Sequence, residues 1–293
     1  MTRALVTAAT GTVGQHVVAE LADTDLTIRA GTRDPNAASD RLGADEFVAF
    51  DFVRPETWGQ ALEGVDRLFL VRVPGVGVDE TTAFADAADR VGVAHVVYLS
   101  ALGAEKNPLI PHHRIERHLR ATGMGDTFLR ASFFMQNLHE VHGEDVRVHD
   151  EVFVPAGDGE TSFVDARDVG AAAARVLADP AGSAESYDLT GAEALDYRTV
   201  AAVFSDVLDR PIRYADPSIP EFVARWRARG EPLGYVLLMS GIYTIARLGL
   251  AGRVTADLPQ LLDREPRTIR EYATDYATEF RPTTADDNAV TAR

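Results

Sequence analysis

The chain has 293 residues, 46% of them apolar, so it is long enough to bury a sizeable core without disulfides. It contains no cysteine, which excludes thiolate nucleophiles, disulfides and cysteine-based metal sites. Its 29 basic and 45 acidic residues give a net charge of -16, and this charge argues against direct binding to nucleic acid or to an anionic membrane.

Short runs rich in Val, Leu and Ala alternate with longer amphipathic stretches. This pattern predicts an α/β fold, a doubly wound parallel sheet of the Rossmann type with helices on both faces. The predicted strands are 4–7, 26–31, 46–50, 67–71, 95–100 and 127–130. The predicted helices begin at Thr12, Asn36, Pro55, Asp79 and about Pro111. Because ligands of such sheets bind beyond the carboxyl ends of the strands, residues that follow strand ends are the candidate site residues.

The sequence changes character after about residue 150. Residues 155–159 read as a turn, residues 168–177 as an alanine-rich helix, and the segment beyond Gly182 is rich in aromatics. We therefore expect a smaller C-terminal α/β lobe that binds substrate. The expected organisation is a Rossmann core of about residues 1–150 plus 163–180, a substrate lobe of about 182–281, and a flexible tail of 282–293.

The sequence also indicates where the protein works. A strand pattern begins at Ala4, which leaves no room for a signal peptide. The longest apolar stretch, residues 235–250, is interrupted by Ser240, Thr244 and Arg247 and is too short and polar to span a bilayer. We expect a cytoplasmic protein, a monomer or a homodimer, that has no membrane association.

The first predicted strand runs directly into a glycine motif. It reads Thr7-Ala8-Ala9-Thr10-Gly11-Thr12-Val13-Gly14 and opens the first helix. Such a turn presents backbone N–H groups to a pyrophosphate; Gly11 allows close approach and Gly14 lets helix and strand pack. The alternative is an ordinary strand-turn-helix. Ala8 replaces the usual first glycine, which a negative φ would tolerate, so we expect dinucleotide binding to be retained, if with lower affinity.

The next two strand ends concern the nucleotide half of a dinucleotide. Arg33 follows the second strand, where an arginine favours a 2'-phosphate and hence NADP over NAD; the alternative is a surface ion pair with Asp34. Asp51 follows the third strand, where its carboxylate could accept from the adenine amino group or cap a helix before Pro55.

Two further strand ends would lie beside the nicotinamide. Val71 and Arg72 end the fourth strand, although Arg72 could instead pair with the surplus carboxylates. Phe133 follows the sixth strand and could wall an apolar pocket. Core packing is the alternative for this segment, especially for Phe134 and Met135.

The fifth strand and the helix after it supply the candidate catalytic residues. His112 and Glu116 are four residues apart and so share a helix face. We expect His112 to donate a proton near neutral pH, oriented by Glu116, with Ser100 beside it. The alternative is a surface helix turn with an ion pair between Glu116 and Arg120.

Metal and lysine chemistry are disfavoured. A site built from His112, Glu116 and some of His139, His142 and His149 is conceivable, but no metalloprotease-type signature is present, and we expect no metal.

The only lysine is Lys106, followed by Asn107, which rules out a GK[ST] phosphate loop. Leu102 stands where a Tyr-x-x-x-Lys catalytic pair would need tyrosine, and a Schiff-base enzyme would have to use Lys106.

These motifs together resemble the NmrA-like branch of the atypical short-chain dehydrogenase/reductases, over essentially residues 3 to 281. The matching positions are Thr7, Thr10, Gly11, Gly14, Arg33-Asp34-Pro35, Val97-Tyr98-Leu99-Ser100, His112, Glu116, Leu129-Arg130, Phe134-Met135, Asn137, Phe163-Val164-Asp165, Arg167-Asp168-Val169, Tyr187 to Glu193 and Arg267-Thr268. The resemblance implies an NADP-preferring Rossmann fold without the tyrosine-lysine pair. It further implies that Gly11, Thr12, Val13, Arg33 and Ser100 contact the cofactor and that His112 reaches its nicotinamide end.

From the residues and the resemblance together, the candidate site can be written out. The candidate catalytic residues are His112 and Ser100. The candidate residues for binding NADP(H) are Thr7, Thr10, Gly11, Thr12, Val13, Arg33, Asp51, Val71, Arg72, Ser100, His112 and Phe133.

The function that we predict is NADPH-dependent reduction of a small apolar or conjugated molecule, such as a quinone, an enone or an aromatic. Hydride would pass to a carbon held against Phe133 and the C-terminal aromatics, and His112, Ser100 or water would supply the proton. The alternative is a protein that senses NADP(H) without turning it over. A nucleotide-sugar epimerase, which normally uses the tyrosine-lysine pair, is a weaker third possibility.

Overall fold

The computed structural model describes residues 2–281 and divides them into two compact units. The first unit comprises the chain up to Ser132 together with Ala166–Leu189 and Ala256–Glu265. The second comprises Phe133–Asp165, Thr190–Thr255 and the chain from Pro266 onward. The tail predicted at 282–293 lies outside the described residues.

Strands and α-helices follow one another along the described chain with the bounds given below. The strands are β1 (Arg3–Val6), β2 (Thr27–Thr32), β3 (Glu46–Ala49), β4 (Arg67–Val71), β5 (His95–Ala101), β6 (Gly125–Ala131), β7 (Phe133–Phe134), β8 (Glu151–Val152), β9 (Glu160–Val164), β10 (Ser186–Leu189), β11 (Ala194–Asp196) and β12 (Arg213–Tyr214). The helices are α1 (Gly14–Leu21), α2 (Pro35–Ser39), α3 (Trp58–Leu62), α4 (Val78–Arg90), α5 (Pro111–Leu119), α6 (Asn137–Glu140), α7 (Gly143–His149), α8 (Ala166–Ala178), α9 (Tyr197–Leu208), α10 (Ile219–Ala228), α11 (Leu233–Arg247), α12 (Asp257–Leu262) and α13 (Ile269–Asp275).

The first unit is built on a seven-stranded sheet of order β10-β6-β5-β4-β1-β2-β3. Every neighbouring pair in it is parallel, because each strand returns through a crossover connection. The predicted doubly wound fold is confirmed, and the six predicted strands lie close to their expected positions. The seventh strand, β10, was not predicted.

Both faces of this sheet are buried. Leu68 and Leu70 point to a core that includes Phe84 of α4, whereas Phe69 between them is fully buried on the opposite face. On that opposite side α1 packs closely against α8, since a Cβ on Gly170 would lie 2.5 Å from the Cβ of His16. The two-sided burial explains why the strands read as nearly continuous apolar runs.

The second unit combines small sheets with helices around an aromatic core. One sheet has the order β11-β9-β7, and a two-stranded sheet pairs β12 with β8. Its core includes Phe163, Tyr197, Phe204, Phe222, Trp226, Tyr243 and Tyr272.

The boundary between the units differs from the predicted one at four places, of which the shortest is 163–165, a segment of the second unit. Residues 133–150 belong to the second unit, because β7 pairs with β9 and Leu138 and Val146 enter the aromatic core. Residues 182–189 belong to the first unit because β10 pairs with β6, and α12 joins it by packing on β10 and α8.

No helix within residues 2–281 combines the length and the apolar character that crossing a membrane requires.

Candidate functional site

The turn between β1 and α1 brings backbone atoms into close contact. The amide of Gly11 donates to the carbonyl of Ala8 at 2.9 Å, and a Cβ on Gly14 would lie only 2.2 Å from the same oxygen. No side chain fits at Gly14, so the close packing predicted there is confirmed. The turn therefore places the start of α1 directly beside it, where the partial positive charge of a helix N-terminus favours an anion.

Ala8 occupies a conformation that favours glycine. Its φ is +48°, in the left-handed region, so the negative φ that would tolerate alanine at little cost is not adopted. An alanine in this region costs about 1–2 kcal/mol relative to ordinary backbone. The chain must bend here so that the Ala8 carbonyl can accept from Gly11 while the amide of Ala9 donates to the Gly31 carbonyl. This geometry explains why glycine is usual at the position.

Thr7 and Val71 connect the turn to the next strand. The Thr7 hydroxyl donates to the Phe69 carbonyl at 2.8 Å and accepts from the Val71 amide at 3.3 Å. Thr7 is fully buried. The polar groups of these two candidate binding residues hold β1 against β4. Thr12 is partly buried and Val13 is buried where α1 begins.

A cavity of about 440 Å³ lies beside the turn, a size typical of ligand sites. The residues that line it come from the turn, the end of β2 and the segments after β3 and β4. They are Ala8, Thr10, Gly11, Gly31, Thr32, Arg33, Phe50, Asp51, Phe52, Val53, Val73, Pro74, Gly75 and Val76. Thr10, Gly11, Arg33 and Asp51, four of the candidate binding residues, are thus brought together.

Arg33 is exposed at the edge of this cavity. The alternative ion pair with Asp34 is absent, because the Asp34 carboxylate instead accepts from the Ala37 amide at 3.1 Å and caps α2. Within residues 2–281 the Arg33 guanidinium has neither a hydrogen bond nor an ion pair. A cation without a protein partner at the edge of a cavity is suited to an anionic ligand.

The Asp51 carboxylate does not form the helix cap that was its alternative role, because the short helix that begins at Pro55 has Arg54 at its N-cap and no side-chain cap bond. One carboxylate oxygen accepts from the Val53 amide at 3.1 Å and so shapes the turn before α3. Its main-chain carbonyl accepts from Trp58 Nε1 at 2.9 Å. Asp51 also lines the cavity, and the bond from the Val53 amide holds its carboxylate in place there.

Strand β5 and helix α5 are joined by two side-chain contacts that run in parallel. Tyr98 and Ser100 are two residues apart and so project from the same face of the strand. His112 and Glu116 are four apart and share a face of the helix. Tyr98 contacts His112 and Ser100 contacts Glu116, so that two rungs connect the elements.

The first rung is neutral. Tyr98 Oη lies 2.8 Å from His112 Nδ1, and the buried tyrosine has no other hydrogen-bond partner within the described chain. Burial raises the pKa of the Tyr98 phenol far above its ordinary value of 10.0, so the hydroxyl keeps its proton. It donates a hydrogen bond to Nδ1. The neutral His112 ring then carries its own proton on Nε2.

The surroundings of His112 set its charge state. Burial, reinforced by repulsion from Arg72 and only partly opposed by Glu116, lowers the pKa of His112 to about 4. The ring is therefore uncharged near neutral pH when no ligand is bound, and its role as proton donor stays a prediction. It is oriented by Tyr98, and the expected orientation by Glu116 is wrong because that carboxylate is engaged elsewhere.

The second rung is charged. The Ser100 hydroxyl donates to Glu116 at 2.6 Å, and Arg130 of β6 donates through two nitrogens at 3.0 and 2.8 Å. Burial opposes ionisation of Glu116, but the bonds from Arg130 and Ser100 outweigh burial and lower the pKa of the carboxyl. The ion pair between Glu116 and Arg120, which was the alternative, also exists but is longer, at 3.7 Å. Since its proton is held by Glu116, the Ser100 hydroxyl is not a free acid.

Arg72 follows β4 on the side of the neutral rung. Its Nε is buried and has no hydrogen-bond partner in the part of the chain that the structure describes. The alternative of pairing with surplus carboxylates is therefore not what residues 2–281 show. A buried donor without a partner is costly, and a ligand oxygen would satisfy it.

Phe133 belongs to the second unit, where its ring packs edge-on against Phe163 at 5.8 Å and near Tyr243 at 6.1 Å. Met135 enters the core of the same unit, as its packing alternative predicted.

Among the described residues no group of three or more His, Asp or Glu is arranged to hold a metal ion.

Sequence reasoning missed Tyr98 and Arg130 as parts of the site. A tyrosine inside an otherwise apolar strand could have signalled the first, because a buried hydroxyl needs a partner. A buried arginine near the end of β6 similarly requires a carboxylate.

The fold and the glycine turn define a Rossmann-type α/β protein with a dinucleotide-binding turn. The chain belongs to the NmrA-like family, whose sequence profile matches residues 2–273, and the predicted resemblance is confirmed.

Similar proteins include both enzymes and a regulator. The chain is 31% identical over 283 residues to the NAD(P)H azoreductase of Xenophilus azovorans, a match that covers 94% of this chain and 98% of that protein. The NADPH complex of the quinone oxidoreductase QOR2 from Escherichia coli matches with a TM-score of 0.82 and 26% identity, over 94% of this chain and all of that one. NmrA, a negative transcriptional regulator solved with NADP, matches with a TM-score of 0.76 over 94% of each chain; at 19% identity it shows the fold alone.

Proposed function

We propose that the protein is an NADPH-dependent reductase of a small conjugated molecule, such as a quinone or an azo compound. The observation that carries this proposal is Arg33, a cation without a protein partner beside the glycine turn and its cavity. A 2'-phosphate is the group that distinguishes NADPH from NADH, and arginine can bind it through two parallel hydrogen bonds. The azoreductase and quinone oxidoreductase relatives support the same reaction class.

The residues present fit such a cofactor. The turn, which has no room for a side chain at Gly14 and little at Gly11, would hold the pyrophosphate. Arg33 would hold the 2'-phosphate, and Asp51 would face the adenine. The buried Nε of Arg72 would donate to an oxygen at the nicotinamide end. When bound, NADPH supplies the hydride, so the protein has to bind, orient and exclude water rather than provide a nucleophile.

Proton supply follows from the two rungs. His112 offers Nε2–H as a neutral donor, because Tyr98 occupies Nδ1. In this role the ring polarises a substrate oxygen or nitrogen without carrying a charge of its own, and water delivers the proton. Ser100 acts as a positioning residue through Glu116 rather than as a proton donor.

The cofactor assignment is tested with the purified full-length chain. We expect steady oxidation of NADPH in the presence of quinones or azo dyes, and weaker use of NADH. Arg33→Ala should raise the KM for NADPH about 10-fold to 100-fold, the effect of losing charged hydrogen bonds of about 1.5–3 kcal/mol, and leave the KM for NADH unchanged. Arg90→Ala, an exposed arginine at the end of α4, is the matched control. An unchanged preference in Arg33→Ala would overturn the assignment.

The sensing alternative gives a different result in the same assay. It is favoured by the absence of a tyrosine-lysine relay and of a charged histidine beside the site. Tight binding of NADPH, measured by calorimetry, with no turnover of quinones, enones or azo dyes above the rate without protein would support sensing and exclude the reductase.

A further inference from the structure

Helix α11 of the second unit is apolar both on the face that is buried and on the face that is exposed to solvent. Val236, Met239 and Tyr243 are buried in the aromatic core. On the opposite side Leu237 and Leu238 are more than half exposed, at 56% and 60%. A helix on a protein surface normally presents polar and charged residues to water. The 15 residues of α11 include one charged side chain, at the last position.

The exposed side forms a continuous apolar stripe, which we call the α11 face. It consists of Leu233, Leu237, Leu238, Gly241, Ile245 and Leu248. Apart from the adjacent Leu237 and Leu238, these positions repeat every three or four residues, so they align along the helix for about 22 Å. Leu250 and Val254 extend the apolar surface beyond the helix.

Both the size and the shape of the α11 face suit an interface. Eight residues of this kind expose several hundred Å², the range in which apolar patches mark interaction sites. That area approaches the roughly 800 Å² that each partner of a stable interface buries. Gly241 lies on the middle line of the stripe, and a Cβ there would have no atom within 4 Å. A second helix could therefore approach the backbone closely at this point.

We infer that the α11 face binds a second copy of this chain, so that two α11 helices cross near Gly241 about a two-fold axis. Such an interface pairs a patch with itself, which places the N-terminal half of one helix against the C-terminal half of the other. Leu237 of one copy then meets Ile245 of its partner. The same small residue from both copies lies at the crossing, where a side chain as large as leucine would hold the helices apart.

Charge is compatible with a second copy at the α11 face. Each chain carries a net charge of -16, so two copies repel each other at long range, and only a surface without charged side chains adds no close-range repulsion to this. The α11 face is such a surface. The same net charge disfavours an anionic membrane. Residues 282–293 are unsuited by sequence to cover the face, because Val290 is their only large apolar residue.

The first test is the oligomeric state of the full-length chain. Sedimentation velocity from about 1 to 100 μM should show a dimer, and Leu238→Glu should shift it to the monomer, because a charge then enters the crossing. Val148→Glu makes the same change at an exposed residue of α7, 64% exposed, and should remain dimeric. A monomer at every concentration, or an equal loss of dimer in Val148→Glu, would overturn the inference.

The second test uses the absence of cysteine and does not depend on how Leu238→Glu folds. Gly241→Cys introduces the only thiol of the chain at the proposed axis. Mild oxidation should give a covalent species of twice 31.7 kDa, whereas Val148→Cys should not. Equal crosslinking of both variants, or none in Gly241→Cys, contradicts the crossing at Gly241. Flotation of the monomer with phosphatidylcholine vesicles would instead identify the face as membrane-binding and would reject the dimer.

Discussion

The two rungs between β5 and α5 have the same backbone geometry and opposite electrostatics. In the charged rung, the buried Glu116 carboxylate accepts hydrogen bonds from Ser100 and Arg130. Tyr98 and His112 end in a neutral ring that has one nitrogen bonded and the other directed away from the tyrosine. The charged rung is complete within the protein, whereas the neutral rung retains a donor that a ligand can use.

This difference indicates how one strand-helix contact serves two purposes. A buried charge must be fully paired, so Glu116 is positioned to connect α5 to β5 and β6 and has little capacity left for a substrate. A neutral imidazole needs no counter-charge, so His112 can remain half-buried with an unused Nε2–H. The comparison predicts that damage to the charged rung affects stability, and damage to the neutral rung affects chemistry.

The largest expected effect is on the charged rung. Glu116→Ala leaves the buried Arg130 without its principal partner, and we expect the free energy of unfolding to fall by about 3–5 kcal/mol. Urea unfolding of the apo protein measures this loss. Glu20→Ala, an exposed glutamate on α1, should change stability by less than about 0.5 kcal/mol. A loss in Glu116→Ala no larger than in this control would show that the ion pair does not hold the elements together.

The two rungs should lose stability in different ranges of pH. The pKa of His112 falls from 6.5 to about 4 on folding, so the unfolded state binds the extra proton first and stability declines as the pH falls from about 6.5 towards 4. The pKa of Glu116 is lowered from 4.5, so its contribution is present above 4.5 and is lost only below it. The buried His142 also has a pKa of about 4 and adds to the first range.

The measurement is the free energy of unfolding between pH 7 and pH 3. His112→Asn should reduce, but not abolish, the slope between pH 6.5 and 4, since His142 remains. Glu116→Gln should leave that slope in place and flatten the curve below pH 4.5. If His112→Asn has the same slope as the unmodified chain, the buried neutral state of the ring is wrong.

The neutral rung is tested by Tyr98→Phe. Removing the hydroxyl leaves His112 Nδ1 without its donor, at a cost of about 1–3 kcal/mol in stability, and frees the ring to adopt both tautomers. We expect the ¹⁵N chemical shifts of His112 to move from the Nε2–H pattern to an average of the two forms. With a quinone substrate, kcat should fall while the KM for NADPH stays constant.

The control for Tyr98→Phe is Tyr187→Phe. Tyr187 lies on the outer strand β10, and its hydroxyl accepts from the Ala184 amide. It should leave the His112 shifts and kcat unchanged. Unaltered ¹⁵N shifts in Tyr98→Phe would mean that another group sets the tautomer.

Much of the fold could be predicted because it depends on local patterns. Buried parallel strands read as short apolar runs, and the helix spacing of His112 and Glu116 correctly placed them on one face. The outer strand β10 has the sequence Ser-Tyr-Asp-Leu, which contains no β-branched run. It forms because β6 offers an unpaired edge, and that edge is a tertiary feature without a local signal.

The site was harder to predict because its decisive contacts join distant segments. Arg130 is 14 residues from Glu116 and competes with His112 for the same carboxylate, and no spacing rule shows which one succeeds. The positive φ of Ala8 accompanies a close approach of Gly14 to the Ala8 carbonyl, and that approach depends on where α1 crosses the turn. The sequence therefore indicated the residue types of the site and their strand ends, but not their charge states.

The smallest expected effect is that of Ser100→Ala. It removes one hydroxyl from the charged rung, as Tyr98→Phe removes one from the neutral rung. Glu116 keeps both bonds from Arg130, so no buried group is left without a partner, and the loss should be about 1 kcal/mol. Because Ser100 does not touch His112, the ¹⁵N shifts of the ring should stay as in the unmodified chain, and kcat should change less than in Tyr98→Phe. A larger fall in kcat for Ser100→Ala than for Tyr98→Phe would reverse the comparison and make the serine hydroxyl the group that acts on the substrate.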